Sequence, residues 1–263
     1  PRTNNSAFTH NDPQEGHPST VHITTDEGNV REFIHGSRAT NPVDQWPDPD
    51  VYVNYMGQSL SGSENRNINR TYPGKADGTL TEMMSYGIVQ LINTENIDVT
   101  VDLHEASPEY PVINALIAHE RAMNLASNVV VDMQMEGVQI SLEPSPTDLR
   151  GLTHRELGDH TDTLALLMEA PNPAQGRLRD RTDEALVLTG KSETYVKAGE
   201  IGQLYVPYDE NGWPIEVRCA RHVFGIERIL ANYSEMYEEP IIVTGMPSYD
   251  ELVKNGMGPY LNE

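Results

Sequence analysis

The chain has 263 residues, enough for one large domain or at most two small ones, and its 40 acidic and 18 basic residues give a formal net charge of −22 at pH 7. Such a charge repels phosphate backbones and anionic lipid surfaces, so we expect no nucleic-acid partner and no membrane partner. The single cysteine, Cys219, excludes an internal disulfide and a zinc site built from several thiolates.

The first third of the chain is predicted to be mostly irregular. Residues 1–20 are polar and include Pro13 and Pro18, and residues 21–25 alternate as in a short strand. Residues 36–76 are rich in Gly, Pro, Asn and Asp, with one strand-like segment at 51–55. Long loops of this kind in a compact domain often carry function.

From residue 79 onward, strand and helix periodicities alternate. Thr79 and Glu82 form a capping-box pattern ahead of apolar residues at helical spacing, which predicts a helix over 80–94. The later predictions are strand 97–103, strand 112–118, helix 119–136, strand 138–142, polar loop 143–162, strand 163–168 and helix 215–236. This order predicts an α/β fold with a mixed, mainly parallel sheet and helices on both faces.

Two predicted strands run into a titratable residue, His104 in one case and Glu169 in the other. A histidine at a strand end suits a metal ligand or an acid–base group, and equally a hydrogen-bonded structural histidine. Glu169 follows an apolar run, where burial would raise the pKa of its carboxyl toward that of a general base. The alternative for Glu169 is a salt-bridged carboxylate at a sheet edge.

Two polar segments carry most of the other candidate residues. Arg66 and Arg70 lie among asparagines in residues 64–74, which suits recognition of a carboxylate or an oxyanion. A solvated turn is the alternative for that segment. Residues 150–160 hold two His, two Arg and two acids, which would either line a pocket or form a surface salt-bridge network.

Four short runs, taken in order, resemble a known family. They are NINRTYPG at 67–74, GTLTE at 78–82, DLHE at 102–105 and LMEA at 167–170. This set is similar to the succinylglutamate desuccinylase and aspartoacylase branch of the zinc carboxypeptidase superfamily. The resemblance covers about residues 64–170. It implies a zinc-carboxypeptidase-like fold and a single catalytic domain over residues 1–263, incomplete at its N-terminus.

The resemblance also implies roles for individual residues. His104 matches the histidine that completes the zinc site. Glu169 matches the general base that activates the zinc-bound water and then protonates the leaving amine. Arg70, with Asn69, matches the pair that holds the substrate carboxylate or polarises the scissile carbonyl. Arg66 is a further candidate for an anion contact.

Two features go beyond the family pattern. Asp102 is our own candidate for the group that orients a ligand histidine. The family takes two zinc ligands from a His-x-x-Glu motif, but none of the nine histidines here has a glutamate three residues later. Because a catalytic zinc needs three protein ligands, we expect the remaining ligands upstream of Pro1. The alternative is a domain that has lost its metal.

The expected function is therefore zinc-dependent hydrolysis of an amide bond next to a carboxylate-bearing group. The expected substrate is a small acylated amino acid or a peptide C-terminus, and the expected cofactor is zinc. A metal-free, non-catalytic carboxylate-binding domain of the same fold is the main alternative. An acidic structural module would explain neither the arginine-rich segments nor the strand-end pair. Either main function is compatible with an oligomer.

Overall fold

The computed structural model describes residues 20–24, 30–34, 49–172 and 190–261. The elements in chain order are β1 (Thr20–Thr24), β2 (Val30–Ile34), β3 (Val51–Val53), β4 (Ser59–Ser61), α1 (Leu80–Glu95), β5 (Val99–Ala106), β6 (Ala115–Ala118), α2 (Met123–Met135), β7 (Ser141–Pro144), α3 (Thr153–His160), β8 (Leu164–Pro171), α4 (Glu193–Glu200), α5 (Ile215–Tyr237) and α6 (Tyr249–Asn255).

The chain divides into two compact units. The first unit contains residues 1–100 and 145–165, and the second contains residues 101–144 and 166–263. The single catalytic domain predicted over 1–263 stays a prediction. Within the described residues, no helix is both long enough and apolar enough to cross a lipid bilayer.

In the first unit, α1 begins where the sequence predicts. The Thr79 side chain accepts a hydrogen bond from the Glu82 amide, and the Glu82 carboxylate accepts one from the Thr79 amide. This is a complete capping box, which satisfies two of the amides that a helix start leaves unpaired. The core beside α1 consists of Tyr72, Val89, Ile92, Leu157 and Ala165.

The four-stranded sheet, most of which belongs to the second unit, has the order β5-β8-β6-β7. Strand β6 pairs parallel with β7 and antiparallel with β8, so the sheet is mixed. The prediction of an α/β fold with a mixed sheet is therefore confirmed. All four residues of β6 are buried, as expected of a strand with neighbours on both sides. Helix α2 packs against α5, and an Asn232–Asp132 hydrogen bond of 2.7 Å links the two.

Several predicted element boundaries are wrong. Residues 143–162 are not a polar loop, because they contain α3, in which the residues at 153–158 are buried. Periodicity missed this helix because its buried side chains are mainly polar and charged. The strand predicted over 112–118 begins only at Ala115, after Asn114 adopts a positive φ of 48°. Helices α4 and α6 were not predicted.

Other predictions agree with the structure or fall outside it. The helix predicted over 215–236 is α5, and the strand-like segment at 51–55 contains β3. The short strand predicted at 21–25 is β1, which pairs antiparallel with β2. The irregular segment predicted over most of residues 1–20 lies outside the described residues.

Candidate functional site

Neighbouring strands of the sheet carry the two titratable residues that the sequence singles out. His104 lies within β5 and Glu169 within β8, and β5 and β8 are adjacent in the sheet. Each strand continues two residues past the titratable one, so the predicted strand ends at 103 and 168 are wrong. The adjacency of the two strands brings together residues that are far apart in sequence.

The His104 ring lies between two carboxylates. Its Nε2 atom is 2.9 Å from Asp102 Oδ2, and its Nδ1 atom is 3.8 Å from Glu169 Oε1. Asp102 and His104 project from the same face of β5 because side chains two residues apart in a strand do so. A carboxylate can only accept, so Nε2 donates a proton to Asp102, and Nδ1 is the ring nitrogen that faces Glu169. The role predicted for Asp102, orienting a ligand histidine, stays a prediction.

The Glu169 carboxyl lacks the hydrogen bonds that usually accompany burial. Its Oε2 atom is buried and accepts no hydrogen bond from any described residue. Burial therefore raises the pKa of Glu169 to about 7, with Asp102 and Glu105 adding to the rise and His104 opposing it. A carboxyl with a pKa near neutrality is suited to both accept and donate a proton at pH 7. The predicted rise in pKa is thus present, and its cause is desolvation.

Helix α5 supplies neighbours that sequence reasoning missed. Arg218 donates to Glu105 Oε1 over 2.6 Å, while Asn172 donates to Glu105 Oε2 over 3.2 Å. His222 hydrogen-bonds to the main chain of His104, and burial together with Arg221 lowers the pKa of His222 to about 4. The sequence predicts the helix, but no local pattern marks these side chains as neighbours of β5.

The described residues do not form a zinc site by themselves. None of the histidine, cysteine, aspartate and glutamate side chains described assemble into a group of three suited to hold a metal ion. A catalytic zinc takes three protein ligands, and the role of His104 as one of them stays a prediction. The further ligands predicted upstream of Pro1 stay a prediction, and His10, His17 and His35 lie outside the described residues.

Asn69 and Arg70 lie in the first unit, in the short 3-10 turn Ile68–Arg70. Asn69 Oδ1 accepts hydrogen bonds from the amide and the hydroxyl of Thr153, over 2.8 and 3.0 Å. The Arg70 carbonyl accepts from Asn54 Nδ2 over 3.3 Å. The segment is therefore anchored to the start of α3 and is not simply a solvated turn.

Arg66 ends the preceding 3-10 turn, Gly62–Arg66, and its side chain is partly buried. Its predicted contact with an anion stays a prediction, as do the substrate contacts of Asn69 and Arg70. The structure thus brings His104 and Glu169 together in the second unit, and Asn69 and Arg70 together in the first.

Residues 150–160 form a salt-bridge network, one of the two predicted alternatives. Arg150 donates to both Glu156 oxygens, over 2.7 and 2.6 Å, and to Asp159 over 3.0 Å. Arg155 donates to the other Asp159 oxygen over 3.0 Å. The Glu156 side chain is 0% exposed, so the network is centred inside the unit and not on its surface as predicted.

Comparison of the chain with protein-family models, with curated proteins and with solved structures gives no significant match.

Proposed function

We propose that this chain is the catalytic part of a zinc-dependent hydrolase that cleaves an amide bond next to a carboxylate-bearing group. The observation that carries the proposal is the buried Glu169 carboxyl beside Nδ1 of His104, with Asp102 on the other ring nitrogen. The mixed α/β sheet and the ordered motifs support a zinc-carboxypeptidase-like fold. Cleavage of an N-acyl amino acid, or of a peptide C-terminus, fits this arrangement.

Glu169 would transfer the proton in this reaction. Its carboxylate takes a proton from the attacking water and later gives it to the amine nitrogen of the scissile bond. An amine leaves readily only once it is protonated, and a carboxyl with a pKa of about 7 is balanced for both steps. Burial also removes competing water from the carboxyl, which strengthens its interaction with the reacting atoms.

His104 and Asp102 would form one corner of the metal site. A carboxylate on the distal nitrogen is the usual partner of a metal-ligating histidine, because it fixes the ring orientation and the tautomer. The proposal requires zinc as the cofactor, with two further ligands from outside the described residues.

The substrate in this proposal bears an acidic group. Because the chain carries a net charge of −22, such a substrate needs a local cation. Arg70 with Asn69 is proposed for that contact, and Arg66 for a further one. A guanidinium can bind both oxygens of a carboxylate at once.

A metal-free carboxylate-binding domain is the second candidate. The lack of a three-ligand group among the described residues favours it. This domain would bind an N-acyl amino acid without cleaving it.

The test combines elemental analysis with an assay of amine release. On protein of known intact mass, we expect about one zinc per chain and hydrolysis within a panel of N-acetyl and N-succinyl amino acids. A chelator should abolish the hydrolysis and added zinc should restore it. A protein that holds no zinc after zinc is added, and releases no amine, would contradict the hydrolase. If an N-acyl amino acid still raises its Tm, the binding domain is supported.

A further inference from the structure

Glu156 organises the start of α3 from a fully buried position. Its Oε1 atom accepts hydrogen bonds from Arg150 Nε over 2.7 Å and from the Gly151 amide over 2.8 Å. Its Oε2 atom accepts from Arg150 Nη2 over 2.6 Å and lies 3.3 Å from His160 Nε2. One carboxylate thus holds both the side chain of residue 150 and the main chain of residue 151.

The segment that Glu156 holds is bonded in turn to the segment containing Arg70. The Gly151 carbonyl accepts from the Tyr72 amide over 3.3 Å. Asn54 Nδ2 donates to the carbonyls of both Arg70 and Arg150, over 3.3 and 3.2 Å, and so bridges the two segments. These contacts fix the main chain on both sides of Arg70.

Thr153 adds a third connection, through Asn69. The Thr153 amide can only donate, so Asn69 must present its Oδ1 atom to Thr153 and its NH2 group elsewhere. Residues 150–153 therefore set the orientation of the Asn69 side chain as well as the main chain of the turn.

The two segments approach so closely that residue 151 has to be glycine. Gly151 has a φ of +85°, and a Cβ atom there would lie 2.2 Å from the Arg70 carbonyl oxygen. Real Cβ atoms are never this close to a carbonyl oxygen, so a side chain would push the Arg70 main chain away.

From these contacts we propose that Glu156 positions Arg70 for the substrate carboxylate, acting through residues 150–153. The inference rests on the proposed function, in which Arg70 makes that contact. Glu156 itself touches no substrate, so it is a positioning residue. This role accounts for the polar and charged residues that α3 buries, which hydrophobic packing does not explain.

The variant Glu156→Gln tests the proposal because it keeps the side-chain shape but replaces one acceptor oxygen with a donor. We expect the KM for an N-acyl amino acid to rise about tenfold while kcat changes less than about twofold. This pattern is expected when a variant loses an interaction that binds the ground state and the transition state equally. Arg70→Gln should raise KM at least as much. In the double variant, Glu156→Gln should add nothing further, because both residues act through one contact.

Ser145→Ala is the matched control. It removes the 2.7 Å hydrogen bond between the Ser145 hydroxyl and His154 Nδ1 of the same helix, and it leaves the hydrogen bonds of Glu156, Gly151 and Thr153 in place. Its KM should equal that of the wild type. The proposal is overturned if Glu156→Gln leaves KM unchanged, if it raises KM equally in the Arg70→Gln background, or if Ser145→Ala raises KM as much.

A second readout separates this proposal from the proposed function. If the wild type hydrolyses no N-acyl amino acid, the proposed function fails, and hydrogen exchange at the Tyr72 amide decides the positioning. Glu156→Gln should speed that exchange at least about tenfold over Ser145→Ala, since the Tyr72 amide donates to Gly151. Equal exchange in the two variants would overturn the inference.

Should Glu156→Gln fail to fold, the pair Thr153→Val and Thr153→Ser replaces it. Valine removes the hydroxyl that donates to Asn69, while serine keeps it. We expect slower exchange at Tyr72, and a lower KM, in the serine variant than in the valine variant. Equal values in the two variants would contradict the proposal.

Discussion

Each unit contains a glutamate with at least one buried carboxyl oxygen, and the two carboxyls differ in how they are hydrogen-bonded. Glu156, in the first unit, accepts three hydrogen bonds, from Arg150 and from the Gly151 amide. Glu169, in the second unit, has one oxygen that is buried and accepts no hydrogen bond from any described residue. The Nδ1 atom of His104 is 3.8 Å from the other Glu169 oxygen, Oε1, which is too long for a hydrogen bond.

This comparison shows how burial alone fails to identify a reactive carboxyl. A buried carboxylate that is fully hydrogen-bonded stabilises the structure around it, because removing it leaves its donors without partners. A buried carboxyl with few donors is held with a raised pKa, and it is available to exchange a proton with a substrate. The number of donors at each oxygen, and not the depth of burial, separates the two roles.

The largest expected effect is on catalysis. Glu169→Gln should lower kcat by about 10²–10⁴-fold, the usual contribution of a general base, while zinc content stays unchanged. The assay is amine release from the best N-acyl amino acid of the panel, with zinc measured on the same sample. Glu136→Gln, at an exposed position of the same unit, is the control. Full activity in Glu169→Gln would show that the base is another residue.

The next effect is on the stability of the first unit. Glu156→Ala leaves the Gly151 amide without its acceptor and Arg150 with Asp159 in place of two carboxylates, so we expect the free energy of unfolding to fall by about 3–5 kcal/mol. Urea denaturation of the variant measures this loss. Glu95→Ala, at an exposed helix position of the same unit, should change stability by no more than about 0.5 kcal/mol. A loss below about 1 kcal/mol in Glu156→Ala would contradict its structural role.

The pH dependence of the free energy of unfolding should show whether the Glu169 carboxyl has a raised pKa in the folded state. Its pKa rises from an ordinary 4.5 to about 7 on folding. The folded state therefore binds the proton more tightly, so the contribution of Glu169 is fully present below pH 4.5 and is lost as the pH rises through 7. The shift corresponds to a loss on the order of 3 kcal/mol.

Chelator-treated wild type and Glu169→Gln are compared by urea denaturation between pH 4 and 8. The stability of the wild type relative to the variant should fall across this range and level off above pH 7. A constant difference would mean that the Glu169 carboxyl is not held with a raised pKa.

The smallest expected effect concerns Asp102. Asp102→Asn keeps the shape of the partner of His104 Nε2 but removes its charge, so zinc affinity should fall about tenfold. Competition with a zinc-binding dye measures the affinity. Asp98→Asn, at an exposed position, provides the control. An unchanged affinity would show that Asp102 does not tune the His104 ring as a ligand.

Helices with local signals could be predicted from the sequence, and α3 could not. Thr79 and Glu82 form the capping-box pattern that predicts the start of α1, and the spacing of apolar residues predicts α5. Helix α3 buries His154, Arg155 and Glu156, residue types that ordinarily face solvent. Their burial depends on partners supplied by folding, so a pattern of hydrophobic residues gives no sign of it.

The candidate site divides in the same way. Residue type and strand position singled out His104 and Glu169, and Asp102 was proposed as the group that orients a ligand histidine. The Arg218–Glu105 ion pair and the contact of His222 with β5 were missed, because they depend on how α5 packs. The connection of Asn69 to Thr153 was missed for the same reason, since it joins residues 84 positions apart.

The sequence by itself predicted the helices over 80–94 and 215–236, the mixed α/β class and the candidate residues His104 and Glu169. Those features depend on short-range periodicity, capping and residue chemistry, and each of these signals involves residues that are close together in the sequence. Only the tertiary structure decided that Glu156 accepts three hydrogen bonds, while one Glu169 oxygen accepts none from any described residue. The number of donors around a carboxyl, and the solvent removed from it, are set by segments that meet only when the chain folds.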